Sequence, residues 1–150
     1  GMAQWLKFGR SRLRFKQFPF HPGESLKVVF SPNRFDRLQI ALRFRKRYAE
    51  SSGSGDNETT RITTETLYEA TRDMECSALD AEVTIEFGLP DNEQWVNSIA
   101  TQPSYFWELE IKAEVPGVDF EESFLLPVYA RRGSASERRP ARKTRGLGTA

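Results

Sequence analysis

Few residues of this chain have the types and spacing that covalent catalysis requires. His21 is the single histidine, so a triad with Ser or Cys would have to place it in the turn-like run "FPFHPGES" at 18–25. We expect a plain turn residue there. Cys76 is the single cysteine, and its acidic neighbours Asp73 and Glu75 disfavour the thiolate that a nucleophile needs. Neither His21 nor Cys76 therefore predicts a catalytic centre.

The carboxylates are candidates for metal binding or glycoside hydrolysis. Asp73, Glu75 and Asp80 could offer oxygens to a hard cation such as Ca²⁺, but they lack the spacing of a calcium loop. Glu108 and Glu110 lie two residues apart on one face of a predicted strand. A retaining glycosidase needs two carboxylates about 5–5.5 Å apart in a cleft, and nothing in the sequence indicates a cleft. We predict a protein that is not an enzyme, with no catalytic, cofactor-binding or metal site.

Three arginines share one face of a predicted strand and could contact an anionic partner. Arg43, Arg45 and Arg47 recur at intervals of two residues, which separates them by about 6.6 Å along a strand. Aromatic side chains on the same face would favour nucleic acid, but the residues of that parity on either side of the arginines, Ala41 and Ala49, are not aromatic. We favour a solvated or salt-bridged face and argue against nucleic acid as a partner.

Charge is strongly segregated along the chain. Residues 1–47 hold twelve basic and two acidic residues, residues 48–130 hold three basic and eighteen acidic, and residues 131–150 hold seven basic and one acidic. One interpretation, which we favour, pairs basic with acidic strands across a sheet. The other is a bipolar docking surface. For the second, the possible electrostatic contact surface consists of Arg43, Arg45, Arg47, Arg138, Arg139, Arg142, Lys143 and Arg145.

The length of 150 residues is that of one domain. Gly1 precedes Met2, so we expect Gly1 to be a scar of tag removal. No signal peptide and no apolar run of about 18 residues is present, and a lone cysteine fits a reducing compartment. We expect a cytoplasmic protein, at the cytoplasmic face of the inner membrane. The predicted division is a lead-in at 1–5, a β-sandwich domain at 6–130 and a disordered basic tail at 131–150.

Strict alternation of apolar and polar residues predicts strands. In the run 106–129, Trp107, Leu109 and Ile111 fall on one parity and glutamates on the other, and Pro116-Gly117 predicts a turn to a second strand. The further strands that we predict lie at 12–16, 25–30, 37–47, 60–70 and 81–87. Together they indicate an all-β fold, an antiparallel β-sandwich of arrestin-like or immunoglobulin-like type with about seven or eight strands.

The strand at 60–70 has two possible inward faces. It could bury Leu67, or it could bury Ile62 and Tyr68. The second choice would point Glu65 and Glu69 outward toward the three arginines, and for this reason we favour it. The preceding run "SSGSGDNE" at 51–58 predicts a flexible hairpin tip.

Several segments in order resemble the arrestin-like β-sandwich, over roughly residues 6–130. They are "FGRSRLRFKQFPFHPGESL" at 8–26, "LQIALRFRKR" at 38–47, "TLYEA" at 66–70, "FGLP" at 87–90 and "YFWELEIKAEVPGVDFEESFLLPVY" at 105–129. The chain looks most like the version found in a family of uncharacterised bacterial inner-membrane proteins, where two membrane helices precede it. Arrestins have two such lobes, whereas this chain has the length for one.

The resemblance implies binding rather than catalysis, because arrestin-like lobes act as scaffolds for peptides and membrane proteins. We therefore predict a non-catalytic protein-interaction or scaffold module that is membrane-associated. Its protein or peptide partner and its oligomeric state stay open, and the basic tail is predicted to contact an anionic membrane surface. The alternative is an immunoglobulin-like ligand-binding module, for example for carbohydrate, with Trp5, Trp95 and Tyr105 as candidate contact residues.

Overall fold

The computed structural model describes residues 4–8, 11–15, 17–31, 37–76, 82–115 and 118–131. These residues form eight strands and a single 3₁₀ turn, Gly55–Asn57. The strands are β1 (Gln4–Phe8), β2 (Ser11–Phe15), β3 (Ser25–Phe30), β4 (Arg37–Ser52), β5 (Thr59–Glu75), β6 (Val83–Gly88), β7 (Ser104–Val115) and β8 (Val118–Leu126). No helix in the described ranges has the length and hydropathy needed to span a bilayer.

The strands form two four-stranded sheets. Sheet one has the order β1-β2-β3-β6 and sheet two the order β5-β4-β7-β8. Each pair of neighbouring strands is antiparallel. A single apolar core unites residues from both sheets, among them Leu13, Phe15, Leu26, Phe30, Phe44, Phe87, Trp107, Leu109 and Phe124. The predicted all-β antiparallel sandwich is confirmed.

The alternation in β7 determines which side chains enter this core. Trp107 is 1% exposed, and Leu109 and Ile111 are fully buried. Glu108 and Glu110, on the other parity, lie on the face of sheet two that points away from sheet one. Burying a large apolar side chain contributes about 1.5–3 kcal/mol. The parity of β7 thus fixes its register and also presents its glutamates on the outer face.

A β-bulge divides the hairpin formed by β4 and β5, and it corrects our expectation for strand 60–70. Phe44 opposes Tyr68 but Arg45 opposes Thr66, so Leu67 is an extra residue. Tyr68 packs against the core as we expected. Ile62 does not pack against the core, because the extra residue reverses the parity of the β5 residues that precede it. Ile62 is 61% exposed.

The same bulge moves one of the two glutamates. Glu69 faces Arg43 as expected, whereas Glu65 lies on the opposite face and accepts a hydrogen bond from the Tyr48 hydroxyl at 2.7 Å. The prediction that Glu65 would face the arginines was therefore wrong.

Strand β1 was not expected from the sequence, and its first residues fall within the predicted lead-in at 1–5. It pairs with β2 from Gln4↔Phe15 to Phe8↔Ser11. The predicted Pro116-Gly117 turn, Asp80 and residues 132–150 lie outside the described residues.

Candidate interaction face

The outer face of sheet two, which points away from sheet one, contains the three arginines of β4. Arg43 donates to Glu69 at 2.6 Å and to Glu110 at 3.0 Å, and it lies 3.5 Å from Glu108. Arg45 contacts Glu108 at 3.4 Å. We call Arg43, Arg45, Glu69, Glu108 and Glu110 the paired half of this face. Acidic β5 and β7 flank basic β4, so the interpretation that we favoured for the charge segregation is the arrangement found here.

The ionisation of the paired half is mutually stabilised. Burial by itself would lower the pKa of Arg43, but hydrogen bonds to Glu69 and Glu110 and the attraction of the same carboxylates raise that pKa above its usual value. Burial likewise opposes the ionised form of Glu110, yet hydrogen bonds with Glu121 and Arg43 hold the pKa of Glu110 below its usual value. Both arginines of the paired half are thus bound by carboxylates of the same face, which leaves neither cation free for a partner.

Arg47 has different surroundings although it shares the strand and the parity. It lies opposite Thr64 on β5 and Ser104 on β7, neither of which carries a charge. Among the residues that the structure describes, no salt bridge joins Arg47 to a carboxylate. Its guanidinium carbon instead lies 4.9 Å from the centre of the Phe106 ring, a cation–π contact. The positive charge of Arg47 is therefore uncompensated by its neighbours on the sheet.

A groove of about 300 Å³ opens beside this pair. Its apolar walls come from Phe106, Ile99 and Leu125, and its polar rim comes from Arg47, Glu108, Ser104 and Ser123. Ile99 is 54% exposed and Leu125 is 46% exposed. We call Arg47, Ile99, Phe106 and Leu125 the open half of the outer face. It combines exposed apolar surface with one cation.

The loop before β7 holds Ile99 against the sheet. Asn97 in this loop donates from Nδ2 to the carbonyl of Leu126 at 2.5 Å and accepts the backbone N–H of Trp107 at 2.8 Å. Ser98 and Tyr105 exchange two backbone hydrogen bonds. The groove wall is thus fixed to β7 and β8 by paired polar groups, which favours a preformed site.

An aromatic cluster lies beneath this end of the sheet, on the core side. Trp95 and Tyr105 both stack on Phe44, and Trp107 packs against the same ring. The indole N–H of Trp107 donates to the carbonyl of Trp95 at 2.8 Å. Trp95 and Tyr105, two of the candidate carbohydrate contacts, are therefore packed on Phe44 within the cluster. The side chain of Trp5 is not among the described features.

Strand β8 forms one edge of sheet two, directly beside the open half. Within the described chain it pairs with β7 alone, so its outer backbone groups have no strand partner. Strand β5 forms the opposite edge and carries the bulge at Leu67. A bulge twists an edge and hinders the addition of another strand. Of these two edges, β8 is the better template for an extended segment.

The remaining candidate catalytic and metal-binding residues do not come together in a site within the described part of the chain. His21 Nδ1 lies 2.8 Å from the carbonyl oxygen of Tyr129. Cys76 is buried in the core cluster. Asp73 and Glu75 are exposed on β5, and the described ranges contain no group of three or more potential metal ligands. Arg138, Arg139, Arg142, Lys143 and Arg145 lie outside the described residues.

Sequence analysis missed the groove, although the signal was present. Phe106 and Leu125 each occupy a position of the polar parity in an alternating strand. The arginine strand itself places no aromatic residue on this face. Phe106 enters the same face from neighbouring β7. An apolar residue at a solvent-facing position in each of two adjacent strands would have indicated an apolar patch on the surface of the sheet.

Comparison with known proteins gives little further information. No protein-family profile and no curated protein matches this chain. Among solved structures, the chain is similar to the sporulation control protein Spo0M from Bacillus subtilis, with 15% sequence identity and a TM-score of 0.44. The alignment covers 81% of this chain and 49% of that one, so the chain spans about half the length of the structure that it matches.

Proposed function

We propose that this chain is a non-catalytic protein-interaction module that binds an extended peptide segment as an additional strand along β8. The observation that carries the proposal is the open edge of β8 beside exposed Leu125 and the groove. An unpaired edge offers a row of backbone donors and acceptors to an incoming strand, and side-chain pockets next to such an edge supply specificity.

The charge on β8 favours pairing with a different segment over pairing with an identical strand. Glu121 and Glu122 lie on the strand, and charged residues on an edge discourage pairing with identical strands. A second copy of β8 would place its acidic residues close to those of the first copy, and the like charges would repel. A different partner segment avoids that repulsion.

The stacking of Trp95 and Tyr105 on Phe44 also favours a peptide over a carbohydrate as the ligand, because a sugar site needs its aromatic faces free.

The test uses a displayed library of random dodecapeptides selected on the intact chain. We expect enriched peptides to shift the backbone amide resonances of β8. Leu125→Asp should weaken binding by about tenfold, because burial of an apolar anchor at an interface is lost. Leu67→Asp is the matched control, since Leu67 is 39% exposed on the opposite edge. Amide shifts confined to loops would contradict strand addition.

Membrane association and a cytoplasmic location form a separate part of the proposal. They depend on the basic residues that follow the sandwich, each worth roughly 1 kcal/mol near an anionic surface. Flotation with anionic and with neutral vesicles tests this part, comparing the full chain with one that ends at Arg131. That end point keeps the contacts of Arg131 with Glu93 and the carbonyl of Pro22. We expect salt-sensitive binding of the full chain alone, and equal flotation of both chains would contradict it.

A further inference from the structure

We infer that the groove beside β8 selects partner segments in which a large apolar residue stands next to a carboxylate. The apolar side chain occupies the groove between Ile99, Phe106 and Leu125, and the carboxylate binds Arg47. This inference rests on the proposed function and specifies the chemistry of its ligand.

The ion pairs around the groove favour an anion over a cation as its ligand. Glu108 is the one acidic residue that lines the groove, and it contacts both Arg43 at 3.5 Å and Arg45 at 3.4 Å. Glu108 is therefore already bound by two cations. Arg47 has no such partner: among the described residues no salt bridge joins it to a carboxylate, and its facing neighbours are Thr64 and Ser104. An incoming carboxylate would find Arg47 available, whereas an incoming cation would compete with Arg43 and Arg45 for Glu108.

The contact with Phe106 prepares Arg47 for a carboxylate. A guanidinium group stacks on an aromatic face while the donors at its edge stay available, and those donors match a carboxylate in a two-pronged arrangement. Phe106 is 7% exposed and is held in β7. Stacking on this ring restricts the position of the cation before binding, which reduces the ordering that a partner would otherwise require.

The groove is large enough to take an anchoring side chain. Its volume of about 300 Å³ is at the lower end for small-molecule pockets, which span about 300–1,000 Å³. The exposed walls, Ile99 and Leu125, come from the loop before β7 and from β8. A single bulky residue can contact both walls and cover Phe106, which is the arrangement of a central interface anchor.

The position of Arg47 dictates the path of the segment. Arg47 lies on β4, two strands inside β8, a separation of roughly 10 Å at the usual strand spacing. A segment paired along β8 cannot contact Arg47 from its paired residues. The segment must leave the edge near Leu125 and cross the outer face, with the apolar residue over the groove and the acidic residue beyond it.

The experiment uses peptides enriched from the random dodecapeptide library on the intact chain. We expect enriched sequences in which Asp or Glu stands beside Leu, Ile, Phe or Trp. Replacing that acid by its amide should weaken binding about tenfold, as should Arg47→Gln. Combining both changes should weaken binding little further, because the two groups act on each other. Arg61→Gln, at an exposed arginine of β5, is the control and should leave affinity unchanged.

The outcomes separate this inference from the proposed function. Peptides that shift the β8 amides but lack an acid, or that bind Arg47→Gln as well as the parent, would overturn the inference and leave strand addition standing. Enrichment of a basic residue beside the apolar one would overturn it equally. Peptides that leave the β8 amides unshifted would overturn both.

Discussion

The paired half and the open half of the outer face use the same residue type for different purposes. Arg43 faces Glu69 on β5 and Glu108 on β7. Arg45 faces the uncharged Thr66 and Phe106 but contacts Glu108 diagonally at 3.4 Å. Arg47 faces Thr64 and Ser104 and has no salt bridge to a carboxylate within the described residues. All three share a strand and a parity. The difference lies in whether an adjacent strand places a glutamate opposite the arginine or diagonally next to it. The register between strands therefore decides whether an arginine stabilises the sheet or is available to a partner.

The comparison predicts that the paired half contributes to stability and the open half to binding. A substitution can remove the support that both halves share, or it can change one half at a time.

The largest effect is expected from Trp107→Ala, because Trp107 lies beneath both halves. The change removes a side chain that is 1% exposed, its packing on Phe44 and its hydrogen bond to Trp95. Truncating a core Trp to Ala typically costs about 3–5 kcal/mol. Denaturant unfolding should show this loss. Trp107→Phe should lose less than half as much stability as Trp107→Ala. A midpoint equal to that of the parent would contradict the core position.

A smaller effect separates Arg43→Gln from Arg47→Gln. Arg43→Gln removes the nearest cation of Glu110 and one of the two cations of Glu108, and both carboxylates are largely shielded from solvent. We expect a loss of about 1–2 kcal/mol. Arg47→Gln removes no salt bridge within the described chain and should change stability by less than about 0.5 kcal/mol. Paired denaturant titrations provide the measurement. Equal losses would mean that the two halves do not differ in the way proposed.

The smallest effect is a pH dependence confined to the paired half. The pKa of Glu110 is lower in the folded chain than its usual value, so its contribution is present above the pKa of the unfolded state. That contribution is lost as pH falls below about 4.3 and through the lower folded value. Glu110→Gln should therefore be less stable than the parent at neutral pH, by under about 1 kcal/mol, and the difference should shrink in acid. Glu58→Gln, at the exposed hairpin tip, should show a constant difference near zero.

The sequence predicted those features that depend on local alternation. In β7 the buried Trp107, Leu109 and Ile111 follow from period two alone, and basic β4 between acidic strands follows from segment charges. The inward turn of Tyr68 was also predicted, but the bulge at Leu67 was not. A bulge is one unpaired residue whose position depends on the partner strand, so the parity of Ile62 could not be deduced from its own segment.

The groove could not be assembled from the sequence for a similar reason. Its walls come from β4, the loop before β7, β7 itself and β8, and these segments meet only after the strands pair. Strand β1 escaped prediction because "QWLKF" is too short for alternation to stand out from its basic surroundings. Alternation within one segment and the charge of whole segments were thus predictable, whereas the bulge and the groove, which depend on the exact register between strands, were not.

The extension of β4 and β5 beyond β7 has a consequence for how this protein tolerates change in its length. Beyond the pair Arg47↔Ser104, strands β4 and β5 pair with each other alone within the described chain, and their side chains from Ser51 to Ile62 are exposed. This two-stranded ribbon is attached to the sandwich at one end only, within the described chain. Residues can be added or removed in pairs at 53–58 without altering any core contact, so the tip is the natural position for a fluorescent label or an inserted tag.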